Sequence, residues 1–400
     1  MLELIFIKYL LNYELYNKYR FVVKLKDTDK ELKNLYKVLD ALVENYQRTI
    51  SFDEYRLSVL SDFPDYEIFL NQIEEANVQQ DMLLDRVKTL QERSLAYDAA
   101  VVAIDVSEGR KDVSELFNVI DKFEHTSEEL DVEFVTDDLE ELYNETVHTP
   151  GLRWRLSCLN QSLGSLRKGD FGFLFARPET GKTTFLASEV TYFARQVERP
   201  ILWFNNEEQG NKVKVRLYQA SLGCTLAQLY SDRPRSHAEF LKRTNGNIKL
   251  IDNATIHKRQ VEALCREFKP SLIIFDQIDK IKGFDNDRED LRLGAIYIWA
   301  RELAKTYCPT IGVCQADVSG EGKKWLTMDN VANAKTSKQA EADWILGIGN
   351  THDVGMEFMR YLHLSKNKLA GDEDSKPEMR HGRMEVVIKP DIARYGMVGM

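Results

Sequence analysis

The chain has 400 residues, 43% hydrophobic and 30% charged, with 21 Gly and 9 Pro. That length admits two or three domains, and that balance excludes collagen-like, purely coiled-coil and wholly disordered chains. Five cysteines without any CxxC spacing exclude a disulfide scaffold and a zinc ribbon, and the net charge of −10 excludes a protein that coats nucleic acid with its whole surface.

The first dozen residues, through Leu11, are apolar but interrupted by Glu3 and Lys8. The stretch is too short to span a bilayer and has neither a basic n-region nor a small-residue cleavage site, so a soluble, cytoplasmic protein with no membrane partner is expected. Up to about Thr146 glycine is scarce and the pattern is one of successive amphipathic helices. Thr28-Asp-Lys-Glu31 is a capping box, opening a helix whose Leu32, Leu35, Leu39, Leu42 and Tyr46 recur every three or four residues on one apolar face. Ser51-Phe-Asp-Glu54 is a second capping box, and Pro64 breaks the segment after it. Leu83, Val87, Leu90 and then Leu95, Ala99 and Val102 mark a long helix ending near Gly109, and a short one covers about Val113 to Phe123. No catalytic constellation falls here, so residues 1–123 are expected to be a helical oligomerisation or partner domain. Residues 124–150 are an acidic linker. Within it, Thr136 to Tyr143 can form a docking helix with Leu139, Leu142 and Tyr143 on one face, and Pro150-Gly151 marks the boundary.

From Gly151 to the end, short apolar runs alternate with helical segments. Phe171–Ala176, Ile201–Phe204, Ile248–Ile251, Leu272–Phe275, Thr310–Val313 and Trp344–Leu346 read as buried strands, which predicts an α/β domain with a mostly parallel sheet over 151–400. Strands near Phe358–Ser365 and Met384–Lys389, around the polar Gly371-Asp-Glu-Asp loop, are expected to close it as an antiparallel pair.

Between the first strand and the next helix lies Arg177-Pro178-Glu179-Thr180-Gly181-Lys182-Thr183-Thr184, a phosphate-binding loop by position and composition. Gly181 lets the backbone approach phosphates, Lys182 reaches the outer ones, and the Thr183 hydroxyl takes magnesium. Ala176 stands where the usual pattern has its first glycine. Ser271-Leu-Ile-Ile-Phe-Asp276 is an apolar strand ending in a carboxylate, the arrangement that holds a magnesium ion beside such a loop. ATP and Mg2+ are the expected cofactors. Glu207 or Glu208, beyond the second strand, can polarise the attacking water, and Gln315, ending the fifth, can sense the γ-phosphate.

Together the phosphate loop, Phe204…Glu207…Arg216, Phe275-Asp276-Gln, Val313-Cys-Gln315 and Ser337…Glu341-Ala-Asp343 resemble the motor domain of DnaB-like replicative helicases. So does the lead-in from Gly151-Leu-Arg-Trp to Gly169-Asp170. The resemblance covers about 150 to 396 and implies a RecA-like P-loop ATPase core, behind a small all-α domain and linker helix like those of phage-encoded versions. It implies a homo-hexamer that moves along single-stranded DNA at a replication fork and meets a primase and a helicase loader. Lys366 and Lys368 fall where the family has a Lys-x-Arg pair donated to the neighbour's nucleotide. Lys368 replaces the arginine, and a lysine carries charge without the bidentate fork, so Arg380 or Arg383 could serve instead. DNA contact is expected on the loops after the fourth and fifth strands, at Lys280 and Lys282 and at Lys323, Lys324 and Lys335. Tyr395 could stack on the adenine or belong to the core. A RecA-like recombinase and a nucleotide-switched loader or assembly ATPase are the alternative readings.

Overall fold

The computed structural model describes residues 2–20, 30–76, 95–113, 115, 116, 119, 138, 139, 151–284, 288–333 and 335–399. The chain separates into two compact units, Met1–Thr136 and Asp137–Met400. Thr28, the helical segment from Leu83 to Leu90 and most of the acidic linker with its docking helix lie outside the described residues.

In the first unit, helices Leu2–Leu10, Tyr13–Tyr19, Lys30–Tyr46, Phe52–Asp62 and Glu67–Glu75 are described, with a further helix over 95–107. The apolar N-terminal run buries Leu4, Phe6, Ile7 and Leu10 against Leu35, Leu39, Val43, Tyr55, Val59, Leu70 and Ile73. Lys8, one of its two interrupting charges, donates to the carbonyls of Glu74 and Ala76, both at 2.7 Å, and so satisfies a helix C-terminus. The Ser51–Glu54 capping box is present on both sides. Leu35 and Leu39 are buried as expected, but Tyr46 is not: it is 60% exposed, because the chain leaves the helix at Gln47, where φ is 49°, and the ring instead lies under the Arg48 guanidinium.

The second unit is built on a nine-stranded sheet in the order β3-β2-β4-β5-β1-β6-β7-β8-β9. The strands are β1 (Phe171–Ala176), β2 (Ile201–Asn205), β3 (Ile248–Asp252), β4 (Leu272–Asp276), β5 (Thr310–Gln315), β6 (Trp344–Gly349), β7 (Met359–Asn367), β8 (Arg383–Lys389) and β9 (Arg394–Met397). The first six are mutually parallel and β7 to β9 antiparallel. The central strands are buried on both faces, which is why they read as unbroken apolar runs rather than alternating ones. One core, around Trp154, Phe185, Trp203 and Trp344, lies on one face of the sheet. The other, around Phe173, Phe275, Ile296 and Tyr297, lies on the opposite face. β9 escaped sequence reasoning because four residues ending at a glycine-rich terminus carry too little periodicity.

Candidate active site

Parallel strands gather their C-terminal ends on one side of the sheet, and ligands bind in the crevice beyond them. β1 ends at Ala176, paired with Gln315 of β5, and β4 ends at Asp276, paired with Asn205 of β2. The register alone therefore brings the phosphate loop, Asp276, Gln315 and the Asn205–Glu208 turn to a common edge.

The loop itself is conformationally particular. Gly181 has φ 105° and stands at the N-terminus of the helix Lys182–Phe193, a backbone region open to glycine at little cost. A side chain there would also collide: a Cβ would lie 2.6 Å from Ile388 Cδ1 and 2.9 Å from the Tyr395 hydroxyl. Glu179 adopts φ 60°, so two left-handed residues curl the loop tightly, a backbone form suited to an anion. Pro178 and Glu179 are exposed, Arg177 and Thr184 half-buried and Thr180 buried. Lys182 is only 6% exposed; its ammonium folds back to the carbonyls of Ala176 and Arg177 at 3.5 and 3.4 Å. Arg177 donates to the Ala316 carbonyl at 3.0 Å and to Glu321 at 2.8 Å, tying the loop to the segment after β5.

The Thr183 hydroxyl lies 3.4 Å from Asp276 Oδ2. Asp276 is fully buried, and its other oxygen has no hydrogen-bond partner. Burial first, and the Glu207 carboxylate second, push its pKa up to about 7, against the opposing pull of Lys182. An orphaned carboxylate oxygen beside a threonine hydroxyl is the hard-oxygen pair that magnesium takes when phosphates and water complete its shell. The residues present therefore fit a magnesium–nucleotide complex, with Thr183 and Asp276 as protein ligands.

Of the two adjacent glutamates, Glu208 pairs with Arg216 at 2.6 Å. Glu207 is exposed, makes no hydrogen bond or ion pair among the described residues, and is close enough to raise the Asp276 pKa. Glu207 is thus the carboxylate open to a water molecule. Gln315, half-buried, stands at the end of β5 between the β1 and β4 ends.

Other expected site residues lie elsewhere. Lys366 pairs with Ile345 of β6 and Asn367 with Trp344, which in turn pairs with Gly172 of β1. Lys366 and Lys368 therefore sit toward the opposite end of the strands, about 10 and about 16 Å from the start of the phosphate loop along the sheet at 3.3 Å per residue. They cannot reach phosphates held by their own chain. Lys366 donates to the Gln339 carbonyl, and burial followed by the charge of Lys368 lowers its pKa. Arg380 joins this edge, donating to the Asn367 carbonyl at 3.2 Å, whereas Arg383 lies over the Trp325 ring. Lys280 and Lys282 are exposed beyond β4, and Lys323 and Lys324 beyond β5. Lys324 reaches over the Tyr361 ring. Lys335 opens the helix Lys335–Glu341. Stacking of Tyr395 on adenine is ruled out by its position: it is 3% exposed, in β9, edge-on to Phe185 at 5.4 Å.

Three residues escaped sequence reasoning. Arg360 donates to the Thr180 carbonyl at 2.7 Å, bracing the phosphate loop from β7. Lys338, wholly buried, pairs with Asp279 at 2.6 Å and donates to the Ala332 carbonyl at 3.0 Å, joining the segments after β4 and β5. Asn206 binds the turn after Asp276. No local signal marks them, since a lysine in the polar run Lys335-Thr-Ser-Lys-Gln-Ala-Glu341 looks solvated. A concavity of about 640 Å3 lies apart from these residues, along edge strand β3, between Lys214, Leu250 and Phe268.

Residues 138–321 match the sequence model of the AAA domain family, and no curated protein sequence matches the chain. Among solved structures, an isolated ATPase domain superposes with a TM-score of 0.56 at 14% identity, over 67% of this chain and all of that one. A second, a DnaB-like replicative helicase described with its interactions with primase, superposes with a TM-score of 0.64 at 12% identity over 99% of both chains. With its phosphate loop, buried Asp276 and strand order, this chain has the RecA-like ATPase fold of DnaB-like replicative helicases.

Proposed function

We propose that the chain is a ring-forming replicative DNA helicase, coupling ATP hydrolysis to movement along single-stranded DNA and to duplex unwinding. The observation that carries the reading is an asymmetry. Lys182, Thr183, Asp276 and Glu207 converge at one end of the sheet, while Lys366, Lys368 and Arg380 stand at the other. A site complete except for a transition-state cation, on a chain that carries such cations out of its own reach, is completed by a neighbouring copy.

In this reading Lys182 and the amides of Arg177 to Thr184 cradle the triphosphate of ATP. Mg2+ when bound neutralises charge on the phosphoryl oxygens, with Thr183 and Asp276 holding it. Glu207 orients the water and accepts its proton, and Gln315 reports the γ-phosphate to the Asp317–Lys335 segment. Lys280, Lys282, Lys323, Lys324 and Lys335 face DNA in the channel of a homo-hexamer. The 99% coverage of a DnaB-like helicase, first unit included, supports this reading over a recombinase. That helicase is described with primase, and primase is the partner proposed for this chain, together with a loader in the cytoplasm.

A forked-duplex gel assay with ATP tests the reading. Strand separation that needs a single-stranded tail supports it. Strand exchange between homologous duplexes would identify a recombinase, and neither activity, despite ATP turnover, an assembly ATPase.

A further inference from the structure

Asn206 sits between strand β2 and Glu207 and is 6% exposed. Its backbone N–H donates to the Asp276 carbonyl at 2.8 Å. Its side-chain amide donates to the Gln277 carbonyl at 2.8 Å, and its side-chain oxygen accepts the Gln277 N–H. Its own carbonyl accepts the Lys280 ammonium at 3.4 Å. The side chain thus behaves as one more peptide unit and extends the β2–β4 ladder past the end of both strands. On the other side of β2, Asn205 donates to the Glu208 carbonyl at 2.6 Å and to Asp252 at 2.9 Å. The turn that carries Glu207 is stapled on both flanks.

Glu207 needs that staple, because its side chain is exposed and makes no hydrogen bond or ion pair among the described residues. Its position relative to Asp276 is set only by the backbone beneath it. A water-orienting carboxylate must be held to within about 0.5 Å of its productive geometry. We infer that Asn206 is the positioning residue for Glu207, locking the hydrolytic carboxylate against the turn that follows Asp276; the inference rests on the role of Glu207 proposed above.

The residue type follows from the geometry. Asparagine offers an N–H donor and an acceptor at the reach needed to pair with both the carbonyl and the N–H of Gln277. Alanine leaves the buried Gln277 N–H unpaired and its carbonyl with only the Lys280 N–H at 3.4 Å, and aspartate keeps the acceptor but loses the donor.

The test is steady-state ATPase kinetics on the full chain for Asn206→Ala, Asn206→Asp, Glu207→Gln and the double variant Asn206→Ala/Glu207→Gln, with thermal melting of each. Asn206→Ala should lower kcat by about tenfold to a hundredfold, the scale of a 1 Å misplacement. KM for ATP should stay within about twofold of the parent. The double variant should be no slower than Glu207→Gln alone, since a misplaced group that no longer acts cannot be misplaced further. Asn206→Asp, which keeps half the clamp and a near-identical shape, should fall between; it carries the test if the alanine variant melts early. A loss in the double variant equal to the product of the single losses, or an unchanged kcat in both Asn206 variants, overturns the inference. Wild-type turnover by Glu207→Gln would instead overturn the role of Glu207 itself, and the inference with it.

Discussion

The Tyr395 hydroxyl, in the last strand, donates to the Gly181 carbonyl at 3.3 Å, across 214 residues of sequence. The carboxy-terminal hairpin therefore supports the phosphate loop from below, and the space under Gly181 is already filled by Tyr395 and Ile388. Gly181→Ala should abolish nucleotide binding, since the added methyl meets both side chains at a backbone angle that alanine resists. Tyr395→Phe keeps the packing and loses one hydrogen bond, so it should weaken binding by no more than about tenfold, on the scale of about 1 kcal/mol per bond. Fluorescent nucleotide titration separates the two.

Replacement of Lys182 by alanine should weaken ATP binding and end hydrolysis, because the phosphates lose their main point charge. Glu207→Gln should bind nucleotide normally and hydrolyse about a hundredfold to ten-thousandfold more slowly, the usual contribution of a general base. Glu208→Gln, whose partner is Arg216, should change turnover far less. A slow Glu208→Gln beside a fast Glu207→Gln would exchange the two roles.

Turnover should also depend on subunit contact. Specific activity is expected to fall steeply on dilution below the assembly threshold, and Lys368→Ala to lose turnover with nucleotide affinity nearly intact. Mixed rings of Lys368→Ala and Glu207→Gln subunits should recover some activity, because one interface then combines an intact site with an intact cation. Absence of recovery in rings proven to mix would place the cation on Lys366 or Arg380 or in the same subunit.

Lys323 and Lys324 lie on the segment that Arg177 joins through Glu321. Replacing both lysines with alanine should leave basal ATPase in place while single-strand stimulation and unwinding fall together. The log–log salt slope of binding should flatten by roughly 1.4 per subunit in contact, at about 0.7 per phosphate released from a single strand. An unchanged slope would move DNA contact to Lys280 and Lys282.

Glu189 lies wholly inside the second unit, accepting the Arg155 N–H at 2.6 Å, and burial outweighs the pull of Arg155 to raise its pKa to about 7. An acid with a higher pKa folded than unfolded keeps its proton longer in the native state. The contribution of Glu189 to stability is therefore full at and below the unfolded value, about 4.3, and is lost as pH rises toward 7. Asp276, raised for the same reason, acts with the same sign. Glu189→Gln should flatten the decline between pH 5 and 7 by up to about 1.4 kcal/mol per pH unit, read by urea unfolding at each pH. An equal slope in wild type and variant would show that Glu189 does not titrate in that window.

The α/β alternation, six parallel strands, the phosphate loop and Asp276 are legible in the sequence because each is local. A buried strand is an unbroken apolar run, and a phosphate loop is consecutive residues whose own amides do the binding. The choice between Glu207 and Glu208 is not legible. It depends on where Arg216 lies one helical turn and more away, and adjacent glutamates look identical until one is paired. The placement of Lys366 and Lys368 far from their own chain's phosphates follows from the antiparallel direction of β7, which no periodicity encodes. Tyr395 satisfied both an adenine stack and a core aromatic until β9 set it under Gly181. Asn206, Arg360 and Lys338 act through partners 71, 180 and 59 residues away. Only the tertiary structure decides such contacts, since buried polar groups must find partners wherever the chain brings them.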